Sequence, residues 1–247
     1  KAGFRILYDP MHGAGLGLMK ELLPKSEEIH GTFNPSFGNL DHPEPIAEHL
    51  TDLIENVKQR KFDIGIASDG DADRLGAVDA QGNFVDSHKI FMIILKYLYE
   101  DKKKRGSVVK TVSLTSMVDK YCEKKKIKLY ETPVGFKYTA KIMSEEKVLI
   151  GGEESGGLGT ILHIPERDGC FNGMLLLEVM AAKGKSLLQL CEDLDTEFGP
   201  HRFLRRDVRV TPQVKKQILN ACKKRPKNIG DYEVTGYNEK DGFKFLV

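Results

Sequence analysis

Cysteine is scarce in this 247-residue chain, and the four present (Cys122, Cys170, Cys191 and Cys222) form no CxxC pair. That scatter argues against a structural zinc site or a disulfide framework and suits a reduced, cytoplasmic setting. Charge of one sign is also lacking. The net charge is +2, which offers no bulk attraction to nucleic acid. Lysines do cluster at Lys102, Lys103 and Lys104 and at Lys124, Lys125 and Lys126. Both runs fall near the ends of predicted helices, where cations suit the helix dipole and water. No apolar run is long enough to cross a bilayer, and no secretory signal opens the chain, so no membrane partner is expected. The chain begins without an initiator methionine on the strand-like FRILYDP and stops within the strand-like DGFKFLV. On that pattern it is expected to be an excised piece of a longer protein.

What is present is a globular composition, 40% hydrophobic and 30% charged, at a length that suits one large domain or two ordinary ones. FRILYDP reads as a buried strand and HGAGLGLMKELLP as a Gly-rich turn running into a helix. IAEHLTDLIENVKQR has helical spacing, with Pro43 and Pro45 at its start. FDIGIAS is a second apolar strand, and LGAVDAQGNFV a hairpin. Ser87 can cap the next helix, HKIFMIILKYLYEDKKK. From SVVKTVSLT onward the alternation resumes, with GTILHIP as a strand and two helices covering roughly 173–198. Strands alternating with helices imply βαβ units. The expected fold is α/β: two consecutive three-layer α/β domains with mixed, mainly parallel sheets, at 1–103 and 104–200. Residues 201–247 read as the partial start of a third, α+β unit.

The densest chemistry lies in IASDGDADRLG, where Asp69, Asp71 and Asp73 alternate ahead of Arg74. Carboxylates this close raise one another's pKa unless a positive partner sits among them. Alternate spacing at the carboxyl end of a strand lets them point one way, into the crevice where α/β sheets gather ligands. A hard divalent cation with oxygen ligands, Mg²⁺ above all, is the natural partner, its shell completed by water or phosphate. Arg74 could then offset the remaining negative charge or hold an anionic ligand. An EF-hand loop would need Gly and Glu where Arg74 and Ala80 stand. A haloacid-dehalogenase pattern would need Thr or Val where Asp73 or Leu75 stands. A polar turn with Asx bonds would explain one or two aspartates, but not three beside an arginine.

Three other stretches carry weaker signals. GGEESGGLG, from Gly151 to Gly159, follows the strand KVLI. Its glycines would let the backbone approach a ligand, with Glu153 and Ser155 on one side for a row of sugar hydroxyls. A plain turn with solvated acids accounts for the same residues equally well. HGAGLG has Leu18 where a dinucleotide turn needs its third glycine, and reads as a tight strand-to-helix turn. ETPVGFK places Lys137 at a helix start, where its ammonium and the backbone N–H groups could meet phosphate.

Together these stretches resemble the α-D-phosphohexomutase superfamily, which includes phosphoglucomutases and phosphomannomutases. DGDADR is similar to its metal loop and GGEESGG to its sugar-recognition loop, in the family's order. DPMHGAG, DHPEP, VGFK and ERDG agree, so the resemblance covers nearly the whole chain. It implies Mg²⁺ held by Asp69, Asp71 and Asp73, with Arg74 beside the reacting phosphate. It implies Glu153 and Ser155 on the sugar hydroxyls, and Lys110, Lys137 and Arg167 as contacts to substrate or phosphate. It further implies interconversion of hexose 1-phosphate and hexose 6-phosphate, of glucose or mannose with a lean to glucose. The route runs through a phosphoserine and a bisphosphorylated sugar. The family's Ser-His-Asn-Pro signature is not found in the chain, since DSHKIF departs from it at Lys89 and Ile90, nor is its Arg-x-Ser-Gly-Thr clamp. The chain therefore corresponds to the second and third family domains and the start of the fourth. Domains I and IV of the same protein are the expected partners, and no turnover is expected without them. An aspartyl-phosphate-type phosphatase and a non-catalytic sugar-phosphate or Mg²⁺-binding module are the alternatives.

Overall fold

A computed structural model of the chain describes residues 3–40 and 42–247; Lys1, Ala2 and Asp41, the last being part of the DHPEP stretch, lie outside the described residues. The first half contains β1 (Ile6–Asp9), α1 (Leu18–Leu22), β2 (Glu27–Glu28), α2 (Thr51–Arg60), β3 (Ile64–Ser68), β4 (Leu75–Asp79), β5 (Phe84–Val85) and α3 (Ser87–Lys96). The second contains β6 (Ser107–Thr111), α4 (Met117–Lys125), β7 (Leu129–Thr132), α5 (Phe136–Glu145), β8 (Val148–Gly152), β9 (Leu158–Thr160), α6 (Gly169–Lys183) and α7 (Leu187–Phe198). The C-terminal segment holds α8 (Pro212–Lys223) and the strands β10 (Asn228–Ile229), β11 (Tyr232–Glu233), β12 (Gly236–Asn238) and β13 (Lys244–Leu246).

The first sheet runs β2-β1-β3-β4-β5, with β1 parallel to β2 and β3 and with β4 antiparallel to both β3 and β5. The second runs β7-β6-β8-β9, parallel except for β8 against β9. Both are mixed α/β sheets, as the alternating pattern implies. In the first, residues alternate between two buried faces. Leu7, Ala67 and Val78 pack with Leu53 and Val57 of α2, while Tyr8, Ile64, Ile66, Leu75 and Ala77 join the other cluster. That cluster also contains Leu175, Leu176, Val179 and Met180 of α6, and Val108 and Ile150 of the second sheet. Each fully buried aliphatic side chain there contributes about 1.5–3 kcal/mol.

The packing runs across the expected division at residue 103. α6 follows the second sheet in the chain yet lies on β3 and β4 of the first, while α3 packs on α6, α7 and β8. Each of these helices packs across the two halves. Gly173 lets α6 approach closely, since a Cβ there would stand 3.0 Å from Ile66.

Local chemistry also adjusts several boundaries. Asp86, not Ser87, caps α3 by accepting from the Lys89 amide at 3.0 Å. The helix continues through a wide π turn at Tyr97–Asp101 and stops before the lysine run. The expected long helix from Ile46 forms only a 3₁₀ turn at Ala47–His49 before α2 begins. GTILHIP joins β9 only through Gly159 and Thr160, and after a last hydrogen bond from the Ile161 amide to Leu149 O it turns away from β8. In the C-terminal segment α8 has no buried residue, and Thr211 caps it with Pro212 in its first turn. Among the described residues no helix is long and apolar enough to cross a membrane.

Candidate functional site

The aspartate loop leaves the carboxyl end of β3 and closes on itself. Asp69 is buried, and its Oδ1 accepts the amides of Asp73 and Arg74 at 2.9 and 3.0 Å. Ala72 takes the left-handed conformation, with φ of 63°, to bring the chain back. One oxygen from each of Asp69, Asp71 and Asp73 then lies within 4.8 Å of the others. Such a cluster can hold a metal ion, and the loop's own hydrogen bonds are enough to draw it together.

The electrostatics are strained as the sequence implies. Burial pushes the Asp69 carboxyl up to about 6; the Arg74 amide opposes the shift, and Asp73 and Asp71 add to it. Burial also raises Asp73, against the opposing charge of Arg167. Two guanidinium groups offset the triad. Arg74 Nε stands 3.2 Å from Asp69 Oδ2, and Arg167 Nη2 stands 2.5 Å from Asp73 Oδ2. Burial works against the Arg74 charge, but Asp69, Glu44 and Asp73 outweigh it and hold that pKa above its ordinary value. Asp73 Oδ1 is buried with no hydrogen-bond partner. A buried carboxylate oxygen in that state suits a cation ligand, because leaving it unpaired is costly.

The glycine-rich loop between β8 and β9 turns back on itself, the Glu153 amide donating to Gly157 O at 3.0 Å, and its acidic residues are anchored from outside. Glu153 Oε1 accepts the Gly135 amide at 2.8 Å, at the start of α5. Burial raises the Glu153 pKa, against that amide and the Arg167 charge. The neighbouring Glu154 is tethered by its backbone carbonyl to the Ser87 hydroxyl and by its carboxylate to Thr111 and Ser113. Ser155, half-buried, sits at the bend of the loop.

The two loops meet directly. The Leu75 amide donates to Gly156 O at 3.1 Å, and Arg74 pairs with Gly157 as an isolated antiparallel bridge. The Gly169 amide, at the start of α6, donates to Ala72 O at 2.9 Å. Arg167 spans the seam from Asp73 to Glu153 Oε2, the latter at 3.6 Å, with its guanidinium over the Phe136 ring. Both Gly156 and Gly157 are required by this approach. Gly156 has φ of 96° and no room for a Cβ, which would stand 2.7 Å from Leu75 O. A Cβ on Gly157 would meet Arg167 Cδ at 2.3 Å.

The structure thus brings Asp69, Asp71, Asp73, Arg74, Glu153 and Arg167 to one place. Lys137 is exposed at the first turn of α5, with its ammonium 5.0 Å from the Tyr138 ring centre. Lys110, expected as a contact to substrate or phosphate, is enclosed. Its side chain is 1% exposed, and its ammonium is closed between Asp119 and, at 3.6 Å, Glu131. Two participants were not singled out from the sequence. Glu154 anchors the glycine loop, and Glu44 accepts from Arg74 Nη1 at 3.0 Å. Both lie in stretches that resemble family motifs, DHPEP and GGEESGG, but their roles depend on partners far along the chain.

Comparison with known proteins agrees with this geometry. The description "Phosphoglucomutase/phosphomannomutase, alpha/beta/alpha domain II" matches residues 1–82, and "domain III" of the same family matches residues 86–198. The chain belongs to the α-D-phosphohexomutase superfamily. It is 34% identical over 194 residues to the phosphoglucosamine mutase of Bacillus velezensis, covering 78% of this chain and 43% of that protein. It is 30% identical over 209 residues to phosphoglucomutase 1 of Drosophila melanogaster, covering 81% and 37%. A crystal structure of a Thermus thermophilus protein, assigned as a phosphomannomutase, superimposes with a TM-score of 0.83 at 30% identity, covering 99% of this chain and 53% of that one. An N-acetylphosphoglucosamine mutase of Aspergillus fumigatus, in complex with GlcNAc-6P and magnesium, shares the fold at 17% identity and a TM-score of 0.57, covering 77% and 50%. The chain thus spans about half the length of the relatives it matches.

Proposed function

We propose that this chain carries the cation site and the sugar-recognition loop of a phosphohexomutase that interconverts hexose 1-phosphate and hexose 6-phosphate. The observation that carries the reading is the seam itself. Backbone hydrogen bonds join an aspartate triad to a Glu/Ser loop, and Arg167 spans both. A phosphatase loop would need no such partner, whereas a mutase must hold a phosphoryl group and a sugar in fixed relation.

In this reading Asp69, Asp71 and Asp73 hold Mg²⁺, the ion present in the Aspergillus complex. When bound, the cation would supply Lewis-acid stabilisation of a transferring phosphoryl group. Arg74 presents its guanidinium to the same phosphate, and Arg167 to the space between the loops. Glu153, fixed by the Gly135 amide, and Ser155 accept and donate to sugar hydroxyls. Lys137, at the start of α5, faces ligand phosphate with the helix's free N–H groups. Lys110 supports β6 through its ion pairs and reaches substrate only if Asp119 gives way. The phosphoserine and the second phosphate clamp come from parts of the protein outside these 247 residues. The relatives' names cover glucose and glucosamine phosphates; among hexoses we propose glucose 1-phosphate as the first substrate to test.

The test is turnover in the full-length protein. Asp71→Ala is expected to abolish Mg²⁺-dependent conversion of glucose 1-phosphate to glucose 6-phosphate. Normal turnover in that variant would refute the reading, and release of free phosphate by the 247-residue chain alone would favour the phosphatase.

A further inference from the structure

Residues 42–45 lie across the aspartate loop like a strap. Pro43 O accepts the Gly70 amide at 3.1 Å, and Gly70 is pressed so close that a Cβ there would stand 2.8 Å from Pro43 Cγ. On the far side of the triad, Gly76 is pressed against Pro45, whose carbonyl oxygen would stand 2.6 Å from a Cβ. The strap therefore grips the loop at Gly70 and Gly76, on either side of Asp71 and Asp73. Between its two prolines stands Glu44. Its Oε1 accepts from Arg74 Nη1 at 3.0 Å, with Arg74 Nε 3.2 Å from Asp69 on the opposite side. Proline fixes φ on both sides of the glutamate and lowers its backbone freedom. The other oxygen, Oε2, faces Arg205 of the C-terminal segment at 3.7 Å.

We infer that Glu44 is a positioning residue that fixes the Arg74 guanidinium, so that its free edge is presented to the phosphate of a hexose phosphate bound over the triad. The inference deepens the phosphohexomutase reading and rests on it for the ligand. Among the described residues, Arg74 Nε is ion-paired with Asp69 at 3.2 Å and with Asp73 at 3.8 Å but makes no hydrogen bond, so Glu44 supplies the one hydrogen bond between the guanidinium and another side chain. Without it the guanidinium would swing, because the arginine side chain has several free torsions, and orientation is what a phosphate contact needs. Glu44 is not one of the clustered aspartates, so its removal should leave the cation where it was.

Two measurements on the 247-residue chain test this. The first needs no ligand: NMR order and exchange of the Arg74 side-chain N–H groups. Wild type should show a restricted guanidinium, Glu44→Ala a freely rotating one, and Glu44→Gln, which keeps an acceptor oxygen, an intermediate one. An Arg74 as ordered in Glu44→Ala as in wild type overturns the inference. The second is calorimetry with Mn²⁺ and then with glucose 1-phosphate. Glu44→Ala should change Mn²⁺ affinity by less than twofold and weaken glucose 1-phosphate tenfold or more. It should add nothing in an Arg74→Gln background, whereas an equal loss there overturns the inference, because Glu44 would then be acting elsewhere. Ordered Arg74 released by Glu44→Ala, together with a full-length protein that turns over no hexose phosphate, would uphold the positioning role and sink the phosphohexomutase reading instead.

Discussion

The aspartate loop and the glycine loop differ in what holds their carboxylates. Residues 69–74 close through their own atoms, with Asp69 capping the amides of Asp73 and Arg74 and Ala72 making the reversal. Residues 153–157 also close on themselves, the Glu153 amide donating to Gly157 O and the Gly156 amide to Glu153 O, but their carboxylates are held by neighbours: the Gly135 amide on Glu153, and the Thr111 and Ser113 hydroxyls on Glu154. One loop concentrates charge in a short, self-capped turn. The other has its acidic side chains aimed by elements from across the chain. A self-capped loop can present a fixed cluster to a cation, while an externally anchored loop can be set against it as a unit.

The sharpest way to break this contrast is to insert a side chain at the seam. Gly156→Val cannot take φ of 96° without strain and would drive a Cβ into Leu75 O. The expected cost is about 3 kcal/mol, from strain of roughly 1–3 kcal/mol plus a lost hydrogen bond. Urea unfolding checks it, and cation binding to the self-closed loop should survive. Next comes Arg167→Gln. It removes a guanidinium that competes for Asp73, so Mn²⁺ should bind about threefold to tenfold more tightly while the seam loosens. Electron paramagnetic titration reads the first effect, and hydrogen exchange at the Leu75 amide reads the second. Ala72→Gly acts on the other loop in the opposite sense to Gly156→Val. It relieves a left-handed alanine, and with the added chain entropy it should be near neutral to about 0.5 kcal/mol stabilising by thermal unfolding.

The smallest effect lies beneath the aspartate loop, where His30 joins β1 to α2. Its Nδ1 bonds Asp9, which is buried, and its Nε2 bonds Asp52 at 3.1 Å, with His12 beside the ring. The Asp9 hydrogen bond raises its pKa, burial opposes, and the Asp9 and Asp52 charges add to the rise. The folded chain thus holds this proton more tightly than the unfolded one. Its contribution is fully present below the unfolded pKa of about 6.5 and is lost as pH rises through the higher folded value. His30→Gln should therefore lower the melting temperature more at pH 6 than at pH 8.5. An equal drop at both would show that the ring acts as a neutral partner.

The same contrast explains what was legible in the sequence. The aspartate loop could be read because its caps, its reversal and its charges all fall within a few residues. The α/β alternation was legible for a similar reason, since period and turn chemistry are local. The glycine loop was ambiguous from its residues alone, because the groups that anchor Glu153 and Glu154 stand at Ser87, Thr111, Ser113 and Gly135. Glu44 and Arg74 are also far apart, and nothing around Glu44 announces its partner. The enclosure of Lys110 was not legible either, because its partners, Asp119 and Glu131, reach it only through the fold. The placement of α6 on the first sheet was invisible for the same reason: the helix follows the second sheet in the chain but covers the first.

The most direct test asks whether the two loops form one site, by titrating glucose 1-phosphate into the 247-residue chain with and without saturating Mg²⁺. If they do, the cation should tighten hexose phosphate binding at least fivefold, and by linkage the sugar should tighten Mg²⁺ by the same factor. Hexose phosphate affinity unchanged by Mg²⁺, in a chain that demonstrably binds both, would contradict it.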